Sequence, residues 1–122
     1  MDEIYNFRGH QYDNNRLINI HGVFQILPKE YEFRRSITGE LFLEDSEFRI
    51  SGSLVQLSLI LNPRLNFLAT TENNRYIHYR LEPVEFKNDV IKYKGSHELL
   101  ERPTITFERY LSKDVELEII LK

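Results

Sequence analysis

The stretch that decides the fold covers residues 30–43 and reads EYEFRRSITGELFL. Tyr31, Phe33 and Ile37 occupy alternate positions, and most residues between them are charged or polar. A two-residue repeat of this kind is typical of a β-strand with one buried face, because successive side chains point to opposite sides of a sheet. Thr38-Gly39 then favours a turn, after which the alternation resumes.

The same alternation recurs along most of the chain, most regularly in residues 115–121, which read VELEIIL. Tight turns are predicted between the strands, for example at residues 13–15, 72–74 and 88–89, because Asn and Asp tolerate positive φ. About nine short strands at this spacing predict a single all-β domain over residues 1–122, an antiparallel meander. A closed β-barrel is favoured because closure removes exposed edges, and a two-sheet β-sandwich is the alternative.

Three segments fit the meander less directly. Residues 54–61 alternate as a strand would, yet their leucines also fit a helical stripe. Gly22 interrupts an alternating run, where a strand would use glycine for a bulge or a sharp bend. Gly95 is expected to end a strand, and Ser96–Glu101 could form one helical turn.

Composition bounds the functions that are open to the chain. The net charge of −3 argues against nucleic-acid binding, which needs a concentrated basic surface. Without cysteine there is no disulfide, thiol nucleophile or zinc–thiolate site. No stretch approaches the roughly 20 apolar residues of a membrane-spanning helix. The acidic start without an apolar run suggests a cytoplasmic protein, although removal of a signal peptide would leave a similar start.

Two arginines occupy positions on otherwise apolar strand faces. Arg35 follows Tyr31 and Phe33, and Arg109 follows Phe107, each at a spacing of two. Inside a barrel, two guanidinium groups could hold the head group of a small apolar acid or another anion, with the aromatic residues along the wall. The alternative is that each arginine lies at a strand end and reaches past the apolar rim to water.

A polar stripe on another predicted strand offers a second kind of site. Tyr76, His78 and Arg80 alternate with Ile77 and share one face. Aromatic and arginine side chains dominate protein interfaces, so this face, with Tyr110 as a further member, is a candidate partner-binding surface. The alternatives are a solvated strand face without function or an acid–base site at His78.

No catalytic, nucleotide or metal signature is present: the chain lacks a nucleophile elbow and a glycine-rich phosphate loop, and its histidines lack the spacing of metal ligands. No cofactor is expected. The sequence therefore favours a non-catalytic protein-interaction module, such as an inhibitor or immunity-type protein, that acts through an exposed β-face. The alternative is a barrel that binds a small apolar acid or anion in its interior. The sequence does not indicate an oligomeric state.

Overall fold

The computed structural model describes residues 3–28, 34–55, 64–100 and 114–121. In these ranges the chain forms eight strands: β1 (Glu3–Asp13), β2 (Arg16–Ile26), β3 (Arg34–Leu43), β4 (Ser46–Val55), β5 (Arg64–Thr70), β6 (Tyr76–Lys87), β7 (Val90–Leu100) and β8 (Val115–Ile120). Each strand pairs with the next in antiparallel fashion, and β8 also pairs with β1. The sheet is thus a closed β-barrel, which confirms the favoured fold over the sandwich.

Side chains that alternate between apolar and polar in the sequence lie alternately inside and outside the barrel. In β8, Val115, Leu117 and Ile119 are buried, whereas the glutamates between them lie on the outer face. The inward residues of all eight strands form one hydrophobic core. At about 25 cal/mol for each Å² of apolar surface removed from water, this burial is the main term that favours folding.

The predicted asparagine turns are confirmed. Asn14 and Asn15 join β1 to β2 with φ angles of 50° and 66°, and Asn88 and Asp89 join β6 to β7 with φ angles of 54° and 61°. Asn74 also has a positive φ, 57°, in the connection between β5 and β6. Asn and Asp accept this left-handed conformation more readily than other residues with a side chain, so these turns follow from local sequence.

Gly39 and Gly95, predicted to mark a turn and a strand end, lie within continuous strands instead, and the bulge considered at Gly22 is absent. The prediction of a turn at Thr38-Gly39 is wrong, because β3 runs through both residues. β2 passes Gly22 without a shift in register, and β7 continues past Gly95 to Leu100, so residues 96–100 are strand rather than a helical turn. Each of these predicted interruptions is therefore continuous strand in the structure.

Close approach of neighbouring strands explains the glycine at position 39. Its φ is 152°, which residues with a side chain rarely adopt, and a Cβ there would lie 2.0 Å from the carbonyl oxygen of Val23 on β2. Gly39 thus allows β3 to lie close against the backbone of β2 without ending the strand.

One β-bulge interrupts the pairing of β6 with β7. Pro83 pairs with Tyr93 and Glu85 pairs with Lys92, so Val84 has no opposite residue. The extra residue shifts the alternation and places Glu85 on the outer face, where its carboxylate lies 3.8 Å from Nζ of Lys92.

Some sequence predictions fall outside the described residues. Of the ambiguous segment 54–61, only Leu54 and Val55 are described, and they end β4. The strand expected around residues 105–111 lies wholly outside them. Within the described ranges, no helix is long and apolar enough to cross a membrane.

Replacing Gly39 with alanine tests the close approach of β3 to β2. Gly39→Ala should lower the free energy of unfolding by at least about 2 kcal/mol, because the new Cβ meets the backbone of β2 in a strained conformation. Thr38→Ala, one residue earlier on the exposed face, is the control and should cost less than about 1 kcal/mol. Urea denaturation measures both. Equal losses for the two variants would show that the close approach of β3 to β2 does not require glycine.

Candidate functional site

Aromatic rings fill the middle of the barrel. Phe7 stacks on Phe24 with ring centroids 4.3 Å apart, Phe24 meets Phe67 edge-on at 5.3 Å, and Phe67 stacks on Tyr79 at 4.9 Å. All four side chains are almost completely buried. Gly22 permits this packing, since a Cβ there would lie 2.6 Å from the Phe7 ring. The central level of the barrel is therefore packed core.

A polar network lies at the end of the barrel that carries the β1–β2, β3–β4 and β5–β6 turns, which we call the lower end. The Tyr79 hydroxyl donates to Oε1 of Gln11 at 2.6 Å, and Nε2 of Gln11 donates to Oδ2 of Asp13 at 3.1 Å. Burial raises the pKa of Tyr79 above its ordinary value of 10, and the nearby charge of Asp13 adds to the effect. Tyr79 therefore remains a neutral hydrogen-bond donor.

His97 stands at the centre of this network and touches three strands. It belongs to β7, its ring stacks near Tyr79 of β6, and Nε2 bonds Oδ1 of Asp13 at the end of β1. Oδ1 of Asp114, just before β8, accepts the backbone N–H of His97 at 3.2 Å. Nδ1 of His97 is buried 3.2 Å from the same oxygen, in an orientation that does not form a hydrogen bond. His97 thus contacts two carboxylates at the lower end: its imidazole bonds Asp13, and its backbone N–H donates to Asp114.

The arrangement fits a structural role better than a catalytic one. The His97 side chain is only 11% exposed, and its Nε2 is engaged by Asp13. An acid–base residue must reach a proton of a bound substrate, and the open groove on the outer face of the barrel is lined by other residues. Among the described side chains there is also no group suited to hold a metal ion.

Arg35 lies at the opposite, upper end of the barrel and has partners within the chain. Nε donates to the carbonyl oxygen of Leu27 at 2.9 Å, and Nη1 bonds Oε2 of Glu3 at the same distance. Its side chain is 26% exposed, which matches the alternative of an arginine that reaches out at a strand end. An anion at Arg35 would have to compete with the carboxylate of Glu3.

The stripe on β6 is only partly a surface. Tyr76, His78 and Arg80 share the outer face of the strand, as the alternation predicts, and Tyr76 and Arg80 are half-buried. His78, however, has no exposed surface, which corrects the expectation that it lies on a solvated face. Nε2 of His78 lies 2.5 Å from Oδ1 of Asn66 on β5, and burial lowers the pKa of the imidazole. This position does not support an acid–base role toward an external substrate.

The groove on the outer face is a more open site. It has a volume of about 810 Å³, crosses β2, β1, β8 and β7, and is bordered by the bulged part of β6. Its lining consists mainly of charged and polar side chains, which include Arg8, His10, Lys92, Lys94, Glu116 and Glu118.

Ion pairs between neighbouring strands connect the charges of the groove. Nε of Arg8 lies 3.3 Å from Glu118, and Glu116 receives both His10 at 3.1 Å and Lys94 at 3.2 Å. Half or more of the Arg8 and Lys94 side-chain surface is exposed, so these pairs are solvated and each contributes less than about 1 kcal/mol. They leave the groove able to exchange internal partners for external ones.

Other predicted site residues lie outside the described ranges: Tyr31, Phe33, Phe107, Arg109 and Tyr110. They remain predictions. Sequence reasoning, in turn, missed the groove and the His97 network. The alternation of β1 places Gln11 and Asp13 inward with Phe7, which was a readable signal for buried polar groups. His97 gives no such signal if its strand ends at Gly95, because the alternation then does not extend to position 97.

Comparison with known proteins adds information about the fold alone. The chain matches no protein-family model, and no curated protein is significantly similar to it in sequence. Among solved structures, it is similar to a de novo designed fluorescence-activating β-barrel, with a TM-score of 0.59. The two chains are 12% identical, and the alignment covers 98% of this chain and 91% of the design. The similarity agrees with the closed barrel described above.

The His97 network predicts a stability effect. His97→Gln should lower the free energy of unfolding by about 2 kcal/mol, because Asp13 loses the imidazole that bonds its Oδ1, whereas the backbone N–H of residue 97 can still bond Asp114. His21→Gln, an exposed histidine that stacks on Phe42 on the outer face, is the control. Urea denaturation gives the size of the loss, and hydrogen exchange at the start of β8 shows whether it is local. A loss no larger than that of His21→Gln would contradict the role.

The lowered pKa of His78 predicts that the free energy of unfolding falls in acid. The pKa of His78 is lower in the folded than in the unfolded chain, so the unfolded chain binds more protons below about pH 6.5. Stability from this group is therefore present above that pH and lost as the pH falls, by at most about 1.4 kcal/mol per pH unit. His78→Gln should flatten the fall in unfolding free energy between about pH 7 and 5. Tyr76→Phe on the same strand should keep the wild-type slope, and an unchanged slope in His78→Gln would refute the assignment.

Proposed function

We propose that this protein is a non-catalytic protein-interaction module that binds its partner through the groove on the outer face of β2, β1, β8 and β7. The observation that carries the proposal is that the open groove lies on the outer face of the barrel. The groove of about 810 Å³ lies on the outside, while the central level of the interior is occupied by stacked rings. A ligand at that level would have to displace Phe24 or Phe67, and each is a fully buried aromatic residue.

The lining of the groove favours a charged partner surface over a small apolar ligand. Small-molecule sites are mostly apolar with a few polar groups that fix orientation. Here cationic and anionic side chains of three adjacent strands border the groove, and apolar residues such as Tyr93, Leu117 and the exposed Val84 contribute to its lining as well. Such a surface selects partners through complementary charge.

The closed barrel also limits the mode of recognition. Along the groove, β8 is hydrogen-bonded over its whole length to β1 on one side and to β7 on the other, so it offers no free strand edge to an incoming peptide. Recognition must then rely on side chains. This supports an interaction that is sensitive to salt and to reversal of individual charges.

A second candidate is the binding of a small apolar acid or anion inside the barrel. Its support is the fold shared with a barrel designed for fluorescence activation. Against it stand the ring packing and the pairing of Arg35 with Glu3. A thermal-shift screen with fatty acids separates the candidates, since an interior ligand raises the unfolding midpoint and loses this effect in Arg35→Ala.

Charge reversal in the groove tests the first candidate. The double variant Lys92→Glu with Lys94→Glu should lose partners that immobilised wild-type protein retains from lysate of the source cells. With a purified partner, calorimetry should show at least about tenfold weaker binding, which corresponds to about 1.4 kcal/mol. Arg34→Glu with Arg49→Glu changes the net charge equally on the outer face of β3 and β4 and should bind as wild type does. Equal binding by both double variants would reject the groove as the docking surface.

A further inference from the structure

The register of four strands arranges the charges of the groove in alternating columns. Across neighbouring strands, one row of the outer face contains, in the order β1, β8, β7, β6, the residues Arg8, Glu118, Lys92 and Glu85. The next row contains His10, Glu116, Lys94 and Glu82 in the same order. Read across the surface, β1 and β7 are therefore basic columns, and β8 and β6 are acidic columns.

This order is complementary to itself. Consider a two-fold axis that runs parallel to the strands, in the plane between two facing copies and level with the gap between β8 and β7. Rotation about this axis exchanges the left and right halves of the pattern. On a second copy that faces the first, the acidic β8 column lies opposite the basic β7 column, and β1 lies opposite β6. Each row keeps its level, so Glu118 faces Lys92 of the partner subunit and Arg8 faces Glu85 of the partner subunit.

From this complementarity we propose that the partner at the groove is a second copy of this chain, in a symmetric dimer. The inference rests on the proposed function, because it names the partner of that same surface. A partner of one charge sign would meet repulsion from two of the four columns, whereas a second copy places Arg8, Lys92 and Lys94 opposite glutamates. Self-complementary surfaces of this kind are what a two-fold dimer requires.

The charges are accessible enough to serve in this way. Lys92 and Glu85 are each about half exposed at a separation of 3.8 Å, and Lys94 and Glu116 are similarly exposed at 3.2 Å. Solvated pairs of this type contribute little to the fold, so an exchange for partner charges costs little. The dimer is accordingly weak and sensitive to salt. Raising NaCl from about 0.1 M to about 1 M shortens the Debye length from about 10 Å to about 3 Å and should weaken association at least about tenfold.

A charge-swap experiment tests the dimer by sedimentation velocity of the whole chain at low salt. Glu116→Lys with Glu118→Lys makes β8 basic, and Lys92→Glu with Lys94→Glu makes β7 acidic. Each double variant alone should be monomeric, because its β8 and β7 columns repel in the symmetric dimer. An equimolar mixture should associate again, because the altered columns then face each other with opposite charge. Arg34→Glu with Arg49→Glu is the control and should dimerise as wild type does.

The outcomes separate this inference from the proposed function. The dimer is overturned if the wild-type protein stays monomeric at low salt at protein concentrations up to about 1 mM. A dissociation constant above that value corresponds to an association free energy of less than about 4 kcal/mol. The dimer is also overturned by association that persists in each double variant alone. In either case the proposed function stands if a different partner is still lost on reversal of Lys92 and Lys94. If a reversed variant does not fold, as judged by circular dichroism, the neutral Gln variants replace it and should dimerise at least about tenfold more weakly.

Discussion

β8 is a strand of six residues, yet it is hydrogen-bonded along both sides, to β7 and to β1. The rest of the structure depends on this placement, because without it β1 and β7 would each present an unpaired edge and the core would open along one side. Val115, Leu117 and Ile119 add their side chains to the core from this strand. At its start, Asp114 is tied to His97 and the Asp114 carbonyl oxygen accepts the N–H of Tyr12. Polar contacts at the lower end thus anchor the strand that closes the barrel.

The same closure creates the outer site. Arg8 and Glu118 are 110 residues apart in the chain and become neighbours only when the last strand joins the first. The interior and the exterior consequently have separate tasks. Stacked rings fill the inside and provide stability, while the outer face of the closing strands holds the exposed charges on which the proposed binding relies. A change such as Lys92→Glu can then alter the surface with little effect on the core.

The sequence alone was sufficient for the fold class and for the side on which many residues lie. Leu117 and Glu118 illustrate this, since the alternation of β8 placed the first inside and the second outside, as observed. Glycine was the main source of error. At Gly39 and Gly95 the missing side chain suggested strand ends, whereas the structure uses it where neighbouring strands approach closely. Local sequence does not distinguish these two uses, because both depend on the backbone freedom of glycine.

The site was less accessible to prediction for a different reason. Its geometry depends on which residue of β8 lies opposite which residue of β1 and β7, and this register is set by packing over the whole barrel. His78 shows the same limit, because its position on the polar side of β6 was predictable and its burial was not. The stripe chosen from the sequence therefore lies on the outer face of β6, and the groove lies across β7, β8, β1 and β2.

The bulge at Val84 has a consequence for how this hairpin could change over evolution. In a regular strand, deletion of one codon turns every later residue before the turn to the opposite side of the sheet. At the bulge, β6 already has one residue more than β7, so the loss of Val84 would leave an ordinary ladder. Glu85 would still lie opposite Lys92, and Phe86 opposite Ile91, each on its present side of the sheet. The hairpin can thus become one residue shorter and keep its outward charges, whereas the same deletion in the middle of β8 would turn a glutamate into the core.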